Sequence, residues 1–242
     1  EWKIPAGMRG SRSGHDIDRV LGSARILSMT TLEKTTHDTL ADLLHRLGGI
    51  APSRVRLRPP PGTATVADLT DEKPTCELVE GTLVEKAMGF RESLLAALLI
   101  GFLQPYLAKS NKGMASGADG VVRLLPNLAR APDVAVFSWS RLLERPLAGR
   151  AYPELVPELA VEVLSESNTP GEMKRKRHEY FDAGVQLVWE IDPDARTVSI
   201  HEDAGSPKRI LTQHDVLDGG EVLPGFHLPL KSLFSPLDRL GL

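Results

Sequence analysis

Apolar residues at Leu40, Leu43, Leu44 and Leu47 return every three or four positions, so Leu32 to Leu47 predicts an amphipathic helix closed by Gly48 and Gly49. Arg54 to Gly62 has another character: arginines at 54, 56 and 58, then three prolines, predict an extended arm with one polar face. Cys76 to Val79 and Thr82 to Lys86 predict a hairpin turning at Glu80 and Gly81. A long helix follows over Phe90 to Leu107. Apolar residues almost encircle it, which places it inside a large core. Three strands are predicted next, at Gly120 to Leu125, Pro132 to Phe137 and Glu158 to Leu164. The proline-containing loop of about 20 residues between the last two is long enough to be functional or mobile.

A second helix carries strong start signals, with Thr169 as N-cap, Pro170 at the first helical position and Glu172 completing a capping box. It runs to Ala183 and ends at Gly184. Val185 to Ile191 is the next strand, and Asp192-Pro193-Asp194 turns it into Thr197 to His201. More strand near Arg209 to Thr212 leads to a terminal meander ending at Leu223-Pro224-Gly225-Phe226. The order is helix, three strands, helix, strand, meander, a mixed α/β (α+β) arrangement.

Composition narrows the picture. A chain of 242 residues, 41% apolar and 25% charged, suits one main globular domain. The expected divisions are an N-terminal extension over 1–28, a helix and Pro/Arg-rich arm over 29–65, and the main domain over 66–242. A formal charge of −3 gives no broadly basic surface, so any nucleic-acid site must be local. The single cysteine, Cys76, allows no internal disulfide and no thiolate zinc site, and a reduced cytoplasm fits. The most apolar run, Leu94 to Leu103, is ten residues, against the roughly 20 needed to cross a bilayer. It predicts a buried helix and no membrane span.

Exclusions sharpen the search for chemistry: no GxxxxGK[ST] loop, GxGxxG, HExxH, GxSxG elbow or cysteine pair occurs. Acidic residues inside apolar strands remain. Asp133, in Pro-Asp-Val-Ala-Val-Phe, shares a face with Ala135 and Phe137; Glu162, in Glu-Leu-Ala-Val-Glu-Val-Leu, shares one with Ala160 and Leu164. Antiparallel pairing of these strands would bring the two carboxylates together. Two like charges in a partly dry site favour a divalent cation between them, and magnesium suits carboxylate and water oxygens. The structural alternative is a strand-start Asp133 and a Glu162 in an ordinary ion pair. On the second helix Glu172, Lys176 and Tyr180 recur every four residues, so Lys176 could reach the carboxylates and lend positive charge to a phosphoryl transition state. Equally, Glu172 and Lys176 could form a surface pair within a solvated basic run, Lys174 to Arg177.

Taken together, Ala-Pro-Asp-Val-Ala-Val-Phe, Leu-Ala-Val-Glu-Val-Leu-Ser-Glu-Ser, Glu172 with Lys176 and Tyr180, Ala183-Gly184-Val185, Val188-Trp189, Asp192-Pro193 and Leu223-Pro224-Gly225-Phe226 resemble the Uma2 family. The resemblance covers about Cys76 to Phe234. It implies a restriction-endonuclease-like PD-(D/E)XK core: helix, three-strand meander, helix, strand. It further implies a nuclease that uses magnesium or manganese, with Asp133 and Glu162 as metal ligands. The pattern departs at Leu164, where the superfamily's lysine belongs, and Lys176 is the expected replacement. Glu92 or Glu80 is expected to add a further carboxylate, with Glu92 preferred, and Glu172 and Tyr180 are further candidates. Lys174, Arg175 and Arg177, with Arg54, Arg56 and Arg58, are expected to meet phosphates of nucleic acid, DNA foremost. A homodimer is expected, and family reading frames suggest a start near Met29, making 1–28 a disordered, non-native extension. The alternative is a catalytically weak or inactive nucleic-acid-binding or assembly module on the same fold. The nuclease reading requires Asp133, Glu162 and Lys176 to converge within reach of solvent.

Overall fold

Apolar positions along three adjoining inner strands build a sheet with two buried faces. The structure, a computed structural model, describes residues 39–69, 74–144, 147 and 149–241. The expected extension over 1–28, the start at Met29 and the first half of the Leu32–Leu47 helix lie outside these residues.

The central sheet has six strands. From one edge it runs β3 (Gly113–Gly117), β6 (Val134–Ser138), β7 (Leu159–Val163) and β8 (Leu187–Asp192), in that order. β3 to β6 and β6 to β7 are antiparallel, whereas β7 and β8 run parallel, joined by helix α4 (Pro170–Ala183). β9 (Thr197–His201) and β10 (Arg209–Thr212) continue the sheet antiparallel beyond β8. β1 (Cys76–Val79), β2 (Thr82–Glu85), β4 (Val122–Leu125) and β5 (Leu128–Arg130) form a second sheet in the order β2-β1-β5-β4. β11 (Val216–Gly219) and β12 (Leu223–Pro229) pair separately.

Alternation sends Val134, Val136, Leu159, Val161, Val163, Trp189 and Ile191 to one face. There they meet α2 (Phe90–Ser110), α5 (Leu230–Asp238) and β12. Ala135, Phe137, Ala160 and Val188 face the other way, onto Tyr180 of α4, Val79 and Val84 of the second sheet, and Leu43 of α1 (Leu40–Arg46). The remaining helix, α3 (Trp139–Glu144), follows β6 directly. Leu43, Leu47, Ile50 and Val55 thus share a core with the main domain.

Three expectations change. The third core strand is β3, while the Gly120–Leu125 prediction falls on β4 of the second sheet. The sequence Gly-Met-Ala-Ser-Gly is poor in the β-branched and aromatic residues that mark strands. Its glycine is there for space, since a Cβ on Gly113 would lie 1.9 Å from the carbonyl oxygen of Phe137. Second, α2 buries one stripe (Leu95, Ala96, Leu99, Leu103, Leu107) instead of its whole circumference. Length and composition alone would let α2 cross a membrane, but this stripe is packed on the sheet. Third, the Arg54–Gly62 arm is not open along its length: Arg54 is buried, and Val55 bridges to Val84 of β2. The terminal segment also adds α5, whose Leu230, Leu233, Phe234 and Leu237 close the core.

Gly113→Ala should destabilise the fold by about 1–3 kcal/mol through overpacking against β6, read as a lower urea midpoint at unchanged m-value. An unchanged midpoint would show that β3 does not approach β6 this closely.

Candidate active site

On the face shared by Ala135 and Ala160, the register that pairs Val134 with Val161 sets Asp133 opposite Glu162 one step further on. The amide of Asp133 donates to the carbonyl of Val161 at 2.9 Å, and the amide of Val163 donates to Asp133 Oδ2 at 2.7 Å. β7 therefore holds the aspartate by main chain as well as by register. From α4, Lys176 Nζ donates to Glu162 Oε2 at 2.8 Å, and the hydroxyl of Tyr180 donates to Glu162 Oε1. The structure thus brings Asp133, Glu162, Lys176 and Tyr180 together.

A residue not singled out from the sequence completes the cluster. Glu77, from the middle of β1, accepts from the amide of Ala131 at 3.1 Å and from Arg130 at 2.7 Å, with Lys176 Nζ 3.8 Å away. Arg130 also pairs with Glu179. The signal was present: Glu77 is an acidic residue inside an apolar strand, as Asp133 and Glu162 are. Lys86, just beyond β2, places its ammonium 2.8 Å from Asp133 Oδ1 and donates to the carbonyls of Ala131 and Ala118. No sequence pattern marked that lysine.

Other candidates lie elsewhere. Glu92 packs against Gly89 and Arg91 at the start of α2, where an acidic side chain complements the helix dipole. Glu80 occupies the hairpin turn with φ of 47° and pairs with Arg46 and Arg175. Both pair with these arginines, whereas Glu77 lies within 3.8 Å of Lys176. Glu172 does not complete the capping box with its side chain. Thr169 Oγ1 accepts from the Glu172 amide at 3.0 Å, but the Glu172 carboxylate turns to Arg54, accepting at 2.9 and 2.8 Å. This buried pair removes Arg54 from any role on phosphate. Arg175 is engaged by Glu179 and Glu80, and Arg177 by Glu190, whereas Lys174 and Arg58 are exposed. Arg56 pairs with Glu85 at 2.6 Å.

Electrostatics follow from this packing. Asp133, Glu162 and Lys176 are each 3% exposed and Glu77 is fully buried. Convergence is met, but contact with water is nearly closed. Burial would raise the Glu77 carboxyl, yet Lys176, Arg130 and Lys86 together pull it down to about 2. Glu162 goes the other way: burial raises it, and Asp133 and Glu77 add to the effect against Lys176 and Lys86. Burial disfavours the charged Lys176, but the Glu162 and Glu77 carboxylates outweigh it and hold the ammonium protonated. Lys176 is therefore a fixed positive charge and no proton acceptor.

Among the described residues no group of three or more His, Cys, Asp or Glu is arranged around one metal position. A two-carboxylate site asks for less, because magnesium keeps several waters and commonly takes one or two protein carboxylates. One observation fits it: Asp133 Oδ1 is buried and accepts no hydrogen bond, the nearby Lys86 ammonium offering charge without hydrogen-bond geometry. A cavity of about 400 Å³ opens where β7 gives way to α4, lined by Leu164, Asn168, Thr169, Arg177 and Glu190. Asp133, Glu162 and Lys176 do not line it.

Comparison with known proteins agrees with this architecture. The Uma2 family, described as "Putative restriction endonuclease", matches over residues 63–231. The crystal structure of a "putative nuclease belonging to DUF820" from Anabaena variabilis superposes with a TM-score of 0.60 at 22% identity, covering 70% of this chain and 94% of that one. At that identity the likeness speaks for the fold. No curated protein matches.

Because the Glu77 pKa is depressed from 4.5 to about 2, its stabilising contribution is complete above pH 4.5 and is lost as pH falls toward 2. Glu77→Gln should cost about 3 kcal/mol at pH 7, since it leaves Arg130 and Lys176 short of a buried partner. The gap between wild type and variant, measured by urea unfolding, should narrow as pH falls through that window. A gap that is constant with pH would contradict the pairing.

Proposed function

This chain belongs to the Uma2 family, and we propose that it is a magnesium-dependent endonuclease hydrolysing phosphodiester bonds of nucleic acid, with DNA as the foremost substrate. The observation that carries this reading is the meeting of Asp133 and Glu162 across β6 and β7, with the Lys176 ammonium 2.8 Å from Glu162. Such a set combines anionic oxygens for a hard cation with a fixed positive charge for the phosphate.

Asp133 and Glu162 would hold the ion, and magnesium or manganese, when bound, supplies Lewis-acid polarisation of the phosphate and a more acidic attacking water. The chain's own residues do the rest. The Asp133 carboxylate is oriented by the Val163 amide, and Glu162 is oriented by Tyr180 and Lys176. Lys176, held protonated by Glu162 and Glu77, would stabilise negative charge growing on the phosphoryl oxygens, as electrostatic catalysis requires. In the reaction a water oxygen bonds to phosphorus while one ester P–O bond breaks. The departing oxygen gains a proton, leaving a hydroxyl end and a phosphomonoester end. Of the six basic side chains expected to meet phosphates, exposed Lys174 and Arg58 would be the candidates for further contacts. A homodimer would put two such sites on one duplex.

A second reading has its own support. The cluster is nearly sealed, and its carboxylates are balanced by Lys86, Lys176 and Arg130, as a structural centre in a non-catalytic binding or assembly module would be.

Incubation with plasmid, linear and single-stranded DNA and with RNA, in magnesium or manganese, separates the two. Wild type should cut, and Asp133→Ala, Glu162→Ala and Lys176→Met should each lose at least about 100-fold in rate. Equal behaviour of wild type and all three variants would remove the enzyme reading.

A further inference from the structure

Lys86 is a member of this cluster to which the catalytic reading gives no task. Its ammonium lies 2.8 Å from Asp133 Oδ1, beside the one carboxylate oxygen of the cluster that accepts no hydrogen bond. The ammonium's directional bonds go to main-chain carbonyls, Ala131 and Ala118. Toward Asp133 it acts as a counter-ion: charge at close range without a directional bond.

Charge counting then constrains what can enter. Glu77, Asp133 and Glu162 face Lys86, Lys176 and Arg130, with Glu179 a further carboxylate on Arg130, so each buried carboxylate already has a resident cation. A divalent cation added beside them would meet the repulsion of these resident cations in a medium that screens it poorly. The Lys86 ammonium, 2.8 Å from Asp133 Oδ1, stands where an ion on that oxygen would bind. Arg130 is clamped between Glu77 and Glu179 from within β5, and Lys176 sits in mid-helix between Glu162 and Glu77. Lys86 alone stands outside regular structure, in the segment 86–89 between β2 and α2. Its side chain is 5% exposed, while Ala87 and Met88 beside it are half-buried and Gly89 is exposed. The lysine covering Asp133 is thus anchored on a short surface connection.

We propose that Lys86 is a built-in counter-ion that a divalent cation must displace from Asp133, so that loading the metal and opening the site to water are one event. This rests on the reading of Asp133 and Glu162 as metal ligands, and it assigns Lys86 a positioning and gating role, not a catalytic one. The metal-free protein is then kept folded and closed by its own lysine, and metal affinity is set by competition with that lysine.

The probe is Mn²⁺ alone, followed by the loss of the free-ion electron paramagnetic resonance signal, with isothermal titration as a second measure and circular dichroism to confirm folding. Lys86→Met and Lys86→Gln should bind Mn²⁺ at least about tenfold more tightly than wild type, because the competing charge is gone. Each should also gain more in melting temperature from Mn²⁺ than wild type does. Asp133→Asn should abolish binding in either background. If wild type binds and both Lys86 variants bind equally or more weakly, the displacement proposal is overturned while the metal reading stands. If no variant binds Mn²⁺, the metal reading itself fails and this proposal with it. Should one variant not fold, the other decides.

Discussion

Three carboxylates buried together cannot remain ionised unless cations are buried with them. Much of this protein's design around its sheet follows from that constraint. β1 contributes Glu77, β6 is preceded by Asp133, and β7 carries Glu162; β5, α4 and the segment after β2 each contribute one positive side chain. The second sheet and α4 are therefore tied to the central sheet by charge as well as by the apolar contacts of Val79, Tyr180 and Val188. The Arg54–Glu172 pair extends the same logic to the N-terminal segment.

Much of this was legible in the sequence, for physical reasons that differ from element to element. Asp133 and Glu162 stood out because a charge inside an apolar strand run is costly and needs a reason, and strand alternation placed them on one face. Thr169, Pro170 and Gly184 marked α4 to the residue, since N-caps and left-handed C-caps depend on local chemistry. What escaped was long-range or space-limited. β3 is a strand by virtue of its neighbour β6, not of its own residues. Arg54 reads as a surface arginine until a glutamate 118 positions away is found bonded to it. Lys86 belongs to the same class, because its partner Asp133 is close only after two sheets have packed.

On the proposed reading the cluster would join stability to function. An ionic centre with cations against its carboxylates keeps the closed protein free of unpaired buried charge, whereas phosphodiester chemistry would need exposed oxygens and an incoming ion. The two demands are compatible if one member of the set can exchange, and the chain places one lysine on a short connection and the other cations in regular structure. Lys176, protonated against Glu162 and Glu77, serves as buried counter-charge before exchange and would serve as phosphate stabiliser after it.

The central claim is that Asp133 and Glu162 form a divalent-cation site now guarded by Lys86. Anomalous diffraction from crystals equilibrated with Mn²⁺ addresses it most directly. The account predicts one strong peak roughly 2.1–2.2 Å from carboxylate oxygens of both residues, with the Lys86 ammonium withdrawn from Asp133. A peak elsewhere, or Lys86 still seated on Asp133 at saturating manganese, would contradict it.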